Sequence, residues 1–122
     1  MTEARAVLDD FYERWGRAHS QRDIDALVAL YAPDALFFGS TPTLRVGPDG
    51  IRDYFEVLPP QPEADVDFEV LHVTSPGAGV VAGASIGTFR WTDNPGTAVR
   101  FTHTLVRRHD TWLVSVHHAS PA

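Results

Sequence analysis

The sequence predicts an α+β fold in which a strongly curved antiparallel sheet wraps around three N-terminal helices. Three observations lead to this prediction. Apolar residues recur at helical spacing in the first part of the chain, the periodicity becomes extended after residue 65, and short turn sequences separate the last four segments. Helices that precede such a sheet must cover one of its faces, so a curved sheet encloses a cone-shaped interior in which a ligand can bind.

The helices are predicted from apolar stripes and from residues that start or stop a helix. The first covers residues 2–18, where apolar side chains recur every three or four positions, with Thr2 as N-cap. The second runs from an Asp23 N-cap to Ala32, because the residue before Pro33 avoids the α region. The third begins near residue 47 and ends at the prolines that follow Leu58.

The strands are predicted from β-rich runs bounded by turn residues. A short buried strand covers residues 35–38, and four later strands form an antiparallel meander over residues 66–74, 80–91, 98–107 and 112–118. The strand beginning at residue 80 contains several glycine, alanine and serine residues. We favour a structural role for them, namely sheet curvature and close approach of a helix, over the alternative that they leave a hollow.

Composition excludes several classes of protein. The 122 residues predict one domain spanning 1–122 with a sizeable core. A net charge of −6 argues against nucleic-acid binding and against adhesion to an anionic membrane. The chain has no cysteine, no signal-like start and no apolar run of membrane-spanning length, so we expect a soluble, cytoplasmic protein.

Histidine is the main candidate for chemistry, because the sequence lacks phosphate-loop, dinucleotide and nucleophile-elbow motifs. His19 and His109 are predicted to be solvated. His117 and His118 must point to opposite faces of one strand, and we expect His118 to face the interior if Val116 does. His103 lies on the neighbouring strand, with a facing that depends on the register of the hairpin. His103 and His118 are therefore candidates for a general acid and base, with local hydrogen bonding as the alternative.

Two further groups complete the candidate catalytic set. Asp34 follows the second helix, where burial would raise its pKa, although a turn-capping role is the stronger interpretation. Tyr54 is placed on the third helix, facing the interior. Candidate ligand-binding side chains, for which core packing is the alternative, are Trp15, Tyr31, Phe38, Phe55, Phe101 and Val116. No spacing supplies three converging metal ligands, so neither a metal nor a cofactor is predicted.

The order of elements and several local patterns resemble the nuclear transport factor 2-like superfamily. This superfamily includes SnoaL-type polyketide cyclases, scytalone dehydratase, ketosteroid isomerase and the calmodulin-dependent protein kinase II association domain. The resemblance covers essentially the whole chain and is carried by residues 22–27, 30–35, 47–55 and 107–120. The last segment is similar to the ending of the kinase association domain, with His118 and Ser120 on its final histidine and serine.

The resemblance implies a cone around three helices, a ligand pocket inside it, and a homodimer formed through the outer face of the sheet. Because one fold supports many functions, it does not fix an activity. We expect a small cofactor-independent enzyme of the isomerase, dehydratase or cyclase type that transfers a proton on an apolar, oxygenated small molecule. The alternative is a non-catalytic ligand-binding or oligomerisation module that resembles the kinase association domain.

Overall fold

The computed structural model describes residues 3–122, so the predicted Thr2 cap lies outside the described residues. Within these residues two helices precede the first two strands, a third helix follows them, and four long strands come last. The elements in chain order are α1 (Glu3–Ser20), α2 (Ile24–Val28), β1 (Tyr31–Phe38), β2 (Arg45–Val46), α3 (Gly47–Val57), β3 (Asp65–Gly77), β4 (Val80–Trp91), β5 (Asn94–Arg108) and β6 (Thr111–Pro121). No helix among residues 3–122 is long and apolar enough to cross a membrane.

The predicted α+β class is confirmed, and the sheet has six strands in the order β2-β1-β6-β5-β4-β3. The meander from β3 to β6 is antiparallel, as predicted. The sheet as a whole is mixed rather than antiparallel, because β1 pairs with β6 in parallel. Helix α1 covers the concave face and contributes Leu8, Phe11, Tyr12 and Trp15 to the core.

The second helix is shorter than predicted. It begins at the predicted cap, since the Asp23 carboxylate accepts a hydrogen bond of 3.0 Å from the Ala26 amide. It ends at Val28 instead of Ala32. The following strand begins at Tyr31, where the extended preference before Pro33 and pairing with β6 outweigh the helical spacing of the apolar side chains. Tyr31 therefore belongs to the sheet, and the short β2 strand was not predicted.

Small residues of β4 allow the helix to approach, in support of their structural role. A Cβ atom at Gly83 would lie 2.5 Å from a methyl carbon of Leu8, a side chain with no exposed surface. A Cβ atom at Gly87 would lie 2.8 Å from the ring of Phe101. The space beside β4 is therefore filled by α1 and by aromatic rings at these two positions.

A bulge in β6 decides which histidine faces the interior. Leu105 pairs with Val114 and Thr104 with Val116, so Ser115 is an extra residue in β6. An extra residue moves every later side chain to the opposite face. His117 is consequently buried and His118 exposed. The prediction that Val116 and His118 face the interior is wrong for this reason.

Candidate active site

A cavity of about 330 Å³ lies between the concave face of the sheet and the helices α1 and α3. Its walls are mainly aromatic, and its polar groups are few. The aromatic side chains are Trp15, Phe37, Tyr54, Phe55, Phe89, Trp91 and Phe101, and the polar side chains are His19, Ser40, Gln61, Thr97, His117 and Ser120. A largely apolar cavity with a few convergent polar groups is the usual form of a small-molecule site.

A chain of buried hydrogen bonds ends at this cavity. The Tyr12 hydroxyl lies 2.6 Å from Ser85 Oγ and 3.3 Å from His103 Nδ1. His103 Nε2 lies 3.0 Å from His117 Nδ1. The same Nδ1 atom lies 3.0 Å from the Tyr31 hydroxyl, which accepts a 3.1 Å hydrogen bond from Trp15 Nε1. The two histidines pair directly across β5 and β6, so the sheet itself sets their contact.

The hydrogen bonds of this chain favour one neutral tautomer of His117, in which the Tyr31 hydroxyl proton has an acceptor. Trp15 Nε1 can only donate, so the Tyr31 oxygen accepts, and the Tyr31 hydroxyl proton is satisfied by donating to His117 Nδ1. In this tautomer the single lone pair of Nδ1 is shared between the Tyr31 hydroxyl and His103 Nε2. His103 Nδ1 then accepts from Tyr12, whose oxygen accepts from Ser85. With this assignment a neutral His117 carries its proton on Nε2.

Burial keeps this chain uncharged at neutral pH. Desolvation lowers the pKa of His103 to about 3. Desolvation, followed by repulsion from His103 and His118, lowers the pKa of His117 well below its ordinary value. Desolvation also raises the pKa of Tyr12 to about 12, and that of Tyr31 rises for the same reason. The inner end of the cavity therefore presents a neutral imidazole N–H group.

His19 is a second histidine of the cavity that was not predicted. Helix α1 extends through Ser20, so His19 lies one turn after Trp15 and stacks on its ring, with 5.1 Å between ring centroids. Desolvation lowers the pKa of His19. A side-chain hydrogen bond with Gln61 acts in the opposite direction but is the smaller effect. The Nε2 atom of His19 is buried and has no partner of ideal hydrogen-bond geometry within residues 3–122. His19 follows Trp15 by four residues, which is about one helical turn. This spacing was the signal in the sequence that could have placed His19 on the same face of α1 as Trp15.

Six of the ten predicted site residues line the cavity or support it from α1, α3 and the sheet. Trp15, Tyr54, Phe55 and Phe101 line the cavity directly. The Tyr54 hydroxyl accepts a 2.9 Å hydrogen bond from the Ser40 amide and lies 2.9 Å from Ser40 Oγ. Tyr31 is the fifth, because it lies behind His117 and orients its ring. His103 supports His117 in the same way, from the neighbouring strand.

The other four predicted residues point away from the cavity. His118 and Val116 are on the outer face because of the bulge described above. Phe38 also faces outward, since the side chains of β1 alternate and the preceding Phe37 is the buried one. Asp34 is exposed and forms a 3.1 Å ion pair with Arg108. The hydrogen bond from Arg108 lowers the pKa of Asp34, opposite to the direction expected from burial.

No three histidine, aspartate or glutamate side chains converge in a metal-binding arrangement within residues 3–122. The described part of the chain thus offers no ligand set to which a metal can be assigned. The groups that face the cavity are suited instead to hydrogen bonding and to proton transfer.

Fold and cavity together define the class of protein: an α+β cone with a largely apolar cavity between helices and sheet. The sequence model of the SnoaL-like domain matches residues 8–114, and the chain belongs to this family, within the nuclear transport factor 2-like superfamily. No curated protein sequence matches the chain significantly.

Solved structures with the same fold come from proteins with different names. A Xanthomonas campestris protein named for the calcium/calmodulin dependent protein kinase II association domain is 24% identical, with a TM-score of 0.87, covering 100% of this chain and 89% of its own. A ketosteroid isomerase-like protein from Erwinia carotovora atroseptica is 19% identical, with a TM-score of 0.79. The alignment covers 99% of this chain and 98% of that protein. Hexachlorocyclohexane dehydrochlorinase LinA-type3 from Novosphingobium barchaimii is 19% identical, with a TM-score of 0.80. The alignment covers 96% of this chain and 85% of that protein. At these identities the similarity establishes the fold alone.

Proposed function

We propose that the protein is an enzyme that transfers a proton on a neutral, apolar small molecule bearing a carbonyl group. The observation that carries this proposal is the neutral His117, whose Nδ1 atom is held by Tyr31 and His103 while the ring borders the aromatic cavity. Its remaining ring nitrogen is the hydrogen-bond donor available to a ligand. The ketosteroid isomerase-like and dehydrochlorinase names of proteins with this fold are consistent with such chemistry.

In the proposed reaction, His117 binds the substrate oxygen. The Nε2–H group donates a hydrogen bond to the carbonyl oxygen and stabilises the negative charge that develops on it when an adjacent C–H bond is broken. A fixed donor in a site of low polarity stabilises such charge more strongly than water does. His103 is a positioning residue, since it fixes the tautomer of His117 without touching the substrate.

His19 is proposed as the general base of this reaction. The electron pair of the broken C–H bond moves to form the enolate, and the proton moves to the His19 ring. Return of this proton to another carbon completes an isomerisation, whereas its transfer to a departing β-hydroxyl group completes a dehydration. The lowered pKa keeps His19 unprotonated and able to accept a proton near neutral pH. Tyr54, which lines the cavity from α3, is a candidate second donor to the substrate. Each step uses groups of the chain itself, so no cofactor is proposed.

Solvent deuterium exchange tests this proposal without knowledge of the natural substrate. A panel of neutral ketones with one to three rings is incubated with the protein in D₂O, and loss of the C–H signal next to the carbonyl is followed by NMR. We expect the protein to accelerate exchange of at least one ketone about 100-fold or more over buffer. Exchange at the buffer rate for every ketone would contradict the proposal.

An exposed apolar cluster on the outer face of the sheet favours the proposed homodimer. Leu36 is paired with Val46 on one side and with Val116 on the other, and these three side chains are 45%, 57% and 37% exposed. Phe38, also on β1, extends the cluster and is 37% exposed. Contiguous apolar surface of this kind is typical of a protein interface. The occupant we propose is a second copy of the chain.

Substitution of Val116 by aspartate is expected to dissociate the dimer, because it places a charge at the centre of the apolar cluster. Analytical ultracentrifugation should give a dimer for the unmodified protein and a monomer for the variant. Leu71→Asp is the matched control, since Leu71 is 56% exposed on β3 at the other end of the sheet. A monomeric unmodified protein would contradict the dimer. A large ring would instead favour the alternative function, an assembly module.

A further inference from the structure

Two aromatic neighbours fix the plane of the His19 ring. The ring stacks on Trp15, with 5.1 Å between centroids and 10° between planes. Phe89 of β4 meets it edge-on, with 5.2 Å between centroids and 80° between planes. A half-turn of an imidazole about its Cβ–Cγ bond keeps this plane but exchanges the positions of ring nitrogens and ring carbons. A hydrogen-bond partner is therefore needed to decide which nitrogen of His19 faces the cavity.

The segment between α3 and β3 places such a partner beside His19. Residues 58–62, which we call the proline strap, contain three prolines, and this limits the freedom of their backbone. Arg22 donates a 2.9 Å hydrogen bond to the Leu58 carbonyl, and the Thr92 amide donates one of 2.9 Å to the Pro62 carbonyl. Both ends of the strap are thus held by residues that are distant in sequence.

The one polar side chain of the strap, that of Gln61, forms a hydrogen bond with His19. Both side chains line the main cavity and also a side chamber of about 50 Å³. Gln61 Oε1 and His19 Nε2 are buried, and within residues 3–122 neither atom has a different partner. Buried polar atoms are normally paired, so we assign these two atoms to each other. Because an amide oxygen can only accept, a neutral His19 then carries its proton on Nε2.

The surroundings of His19 make the Gln61 oxygen important for its charge. Among residues 3–122, no carboxylate lines the main cavity or the side chamber, and the other titratable or charged side chains there are those of Arg22, Tyr54 and His117. Repulsion from Arg22 lowers the pKa of His19, whereas the hydrogen bond with Gln61 raises it. An amide oxygen has only a partial charge, so it favours an imidazolium less strongly than a carboxylate does. The resting base consequently stays unprotonated.

We propose that Gln61 is the positioning residue of the base: it directs the unprotonated Nδ1 of His19 into the main cavity and stabilises the imidazolium that forms there. This inference rests on the proposed function, in which His19 is the base. When the substrate C–H bond breaks, its electron pair remains on the substrate as the enolate and the proton bonds to Nδ1. The hydrogen bond from Nε2–H to Gln61 strengthens as the ring becomes positive. Return of the proton from Nδ1 to the substrate restores the neutral ring.

Nitrogen NMR of the His19 ring tests the inference without a substrate, with His19→Gln to assign the signals. We expect the neutral ring of the unmodified protein to carry its proton on Nε2. Gln61→Met keeps the length of the side chain but has no oxygen, so the pKa of His19 should fall in this variant. Gln61→Glu supplies a charged acceptor, so the pKa of His19 should rise.

The exchange reaction supplies a second measurement that a merely structural role would not explain. In Gln61→Met we expect kcat for ketone exchange to fall about tenfold, as is usual for loss of one hydrogen bond to a charged group, with KM within about twofold of the parent. In Gln61→Glu the acidic limb of the pH profile should move to higher pH, because His19 is protonated more readily.

Gln21→Met is the matched control, because Gln21 is an exposed glutamine just after α1. This variant should keep the parent's rate and the parent's pKa of His19. A proton on Nδ1 of the neutral ring, or a His19 pKa that is unchanged in either Gln61 variant, would overturn the inference, so one folded variant is sufficient. The titration requires no turnover. The expected pKa shifts without any deuterium exchange would leave the pairing of Gln61 with His19 standing and contradict only the proposed proton transfer.

Discussion

Replacement of His117 by asparagine is expected to lower the rate of deuterium exchange by about 100-fold or more. Asparagine is smaller than histidine and does not place an N–H group at the position of Nε2. The enolate would then form without the hydrogen bond from Nε2, and Tyr54 would be the remaining proposed donor. His19→Gln should cause a loss of the same order, because the variant lacks the base. The rate is measured by NMR on the ketone that the unmodified protein exchanges fastest.

His118→Asn is the control for this experiment, since the same substitution is made one residue further along β6, on the exposed outer face. Its exchange rate should remain within about twofold of the unmodified rate. His103→Gln, which changes a positioning residue, should reduce the rate less than His117→Asn does and should alter the NMR signals of the His117 ring. Equal rates for His117→Asn and His118→Asn, in variants with the thermal stability of the parent, would contradict the assignment of His117.

The second large effect concerns stability in acid. Histidines in the unfolded chain titrate near pH 6.5, whereas the folded pKa of His103 is about 3. Between these values the unfolded chain binds more protons, so the free energy of unfolding falls as the pH falls from about 6.5 towards 3. The slope is about 1.4 kcal/mol per pH unit for each histidine that stays neutral in the fold. His117, whose folded pKa is also lowered, adds to this slope.

Urea unfolding at several pH values between 4 and 8 measures this effect. His103→Leu removes one of the buried titrating groups, so its slope below pH 6.5 should be smaller than that of the parent by about 1.4 kcal/mol per pH unit. The variant is expected to be less stable than the parent near pH 7, because His117 and Tyr12 each lose a hydrogen-bond partner. His118→Asn should leave the slope unchanged. Identical slopes for parent and His103→Leu would show that His103 is not held neutral by burial.

The elements with strong local signals were predictable from the sequence. Helices α1 and α3 each present a stripe of apolar side chains at helical spacing, and the long strands are separated by turn residues. Asp23 was correctly predicted as the N-cap of α2, because its carboxylate bonds to an amide only three residues later in the chain. The end of α2 was misplaced because Tyr31 fits the helical stripe as well as the strand, and the choice depends on pairing with the distant β6.

The candidate site was predictable only in part, because its geometry depends on long-range register. A single extra residue at Ser115 exchanges the facing of His117 and His118, and nothing local to that strand indicates the bulge. Tyr54 and Phe101, which lie on regular elements, were placed correctly in the interior. Gln61 was overlooked because residues 58–62 are held by long-range hydrogen bonds, from Arg22 to the Leu58 carbonyl and from the Thr92 amide to the Pro62 carbonyl.

The protonation state of His117 in the free and ligand-bound protein tests the account most directly. Proton-detected nitrogen NMR of the histidine rings, assigned with His117→Asn and His118→Asn, distinguishes a protonated ring nitrogen from an unprotonated one. The account predicts that at pH 7 His117 is neutral with its proton on Nε2, and that addition of 1-tetralone shifts this Nε2–H signal. A proton on Nδ1, a charged ring, or an Nε2–H signal that does not respond to the ketone would contradict it.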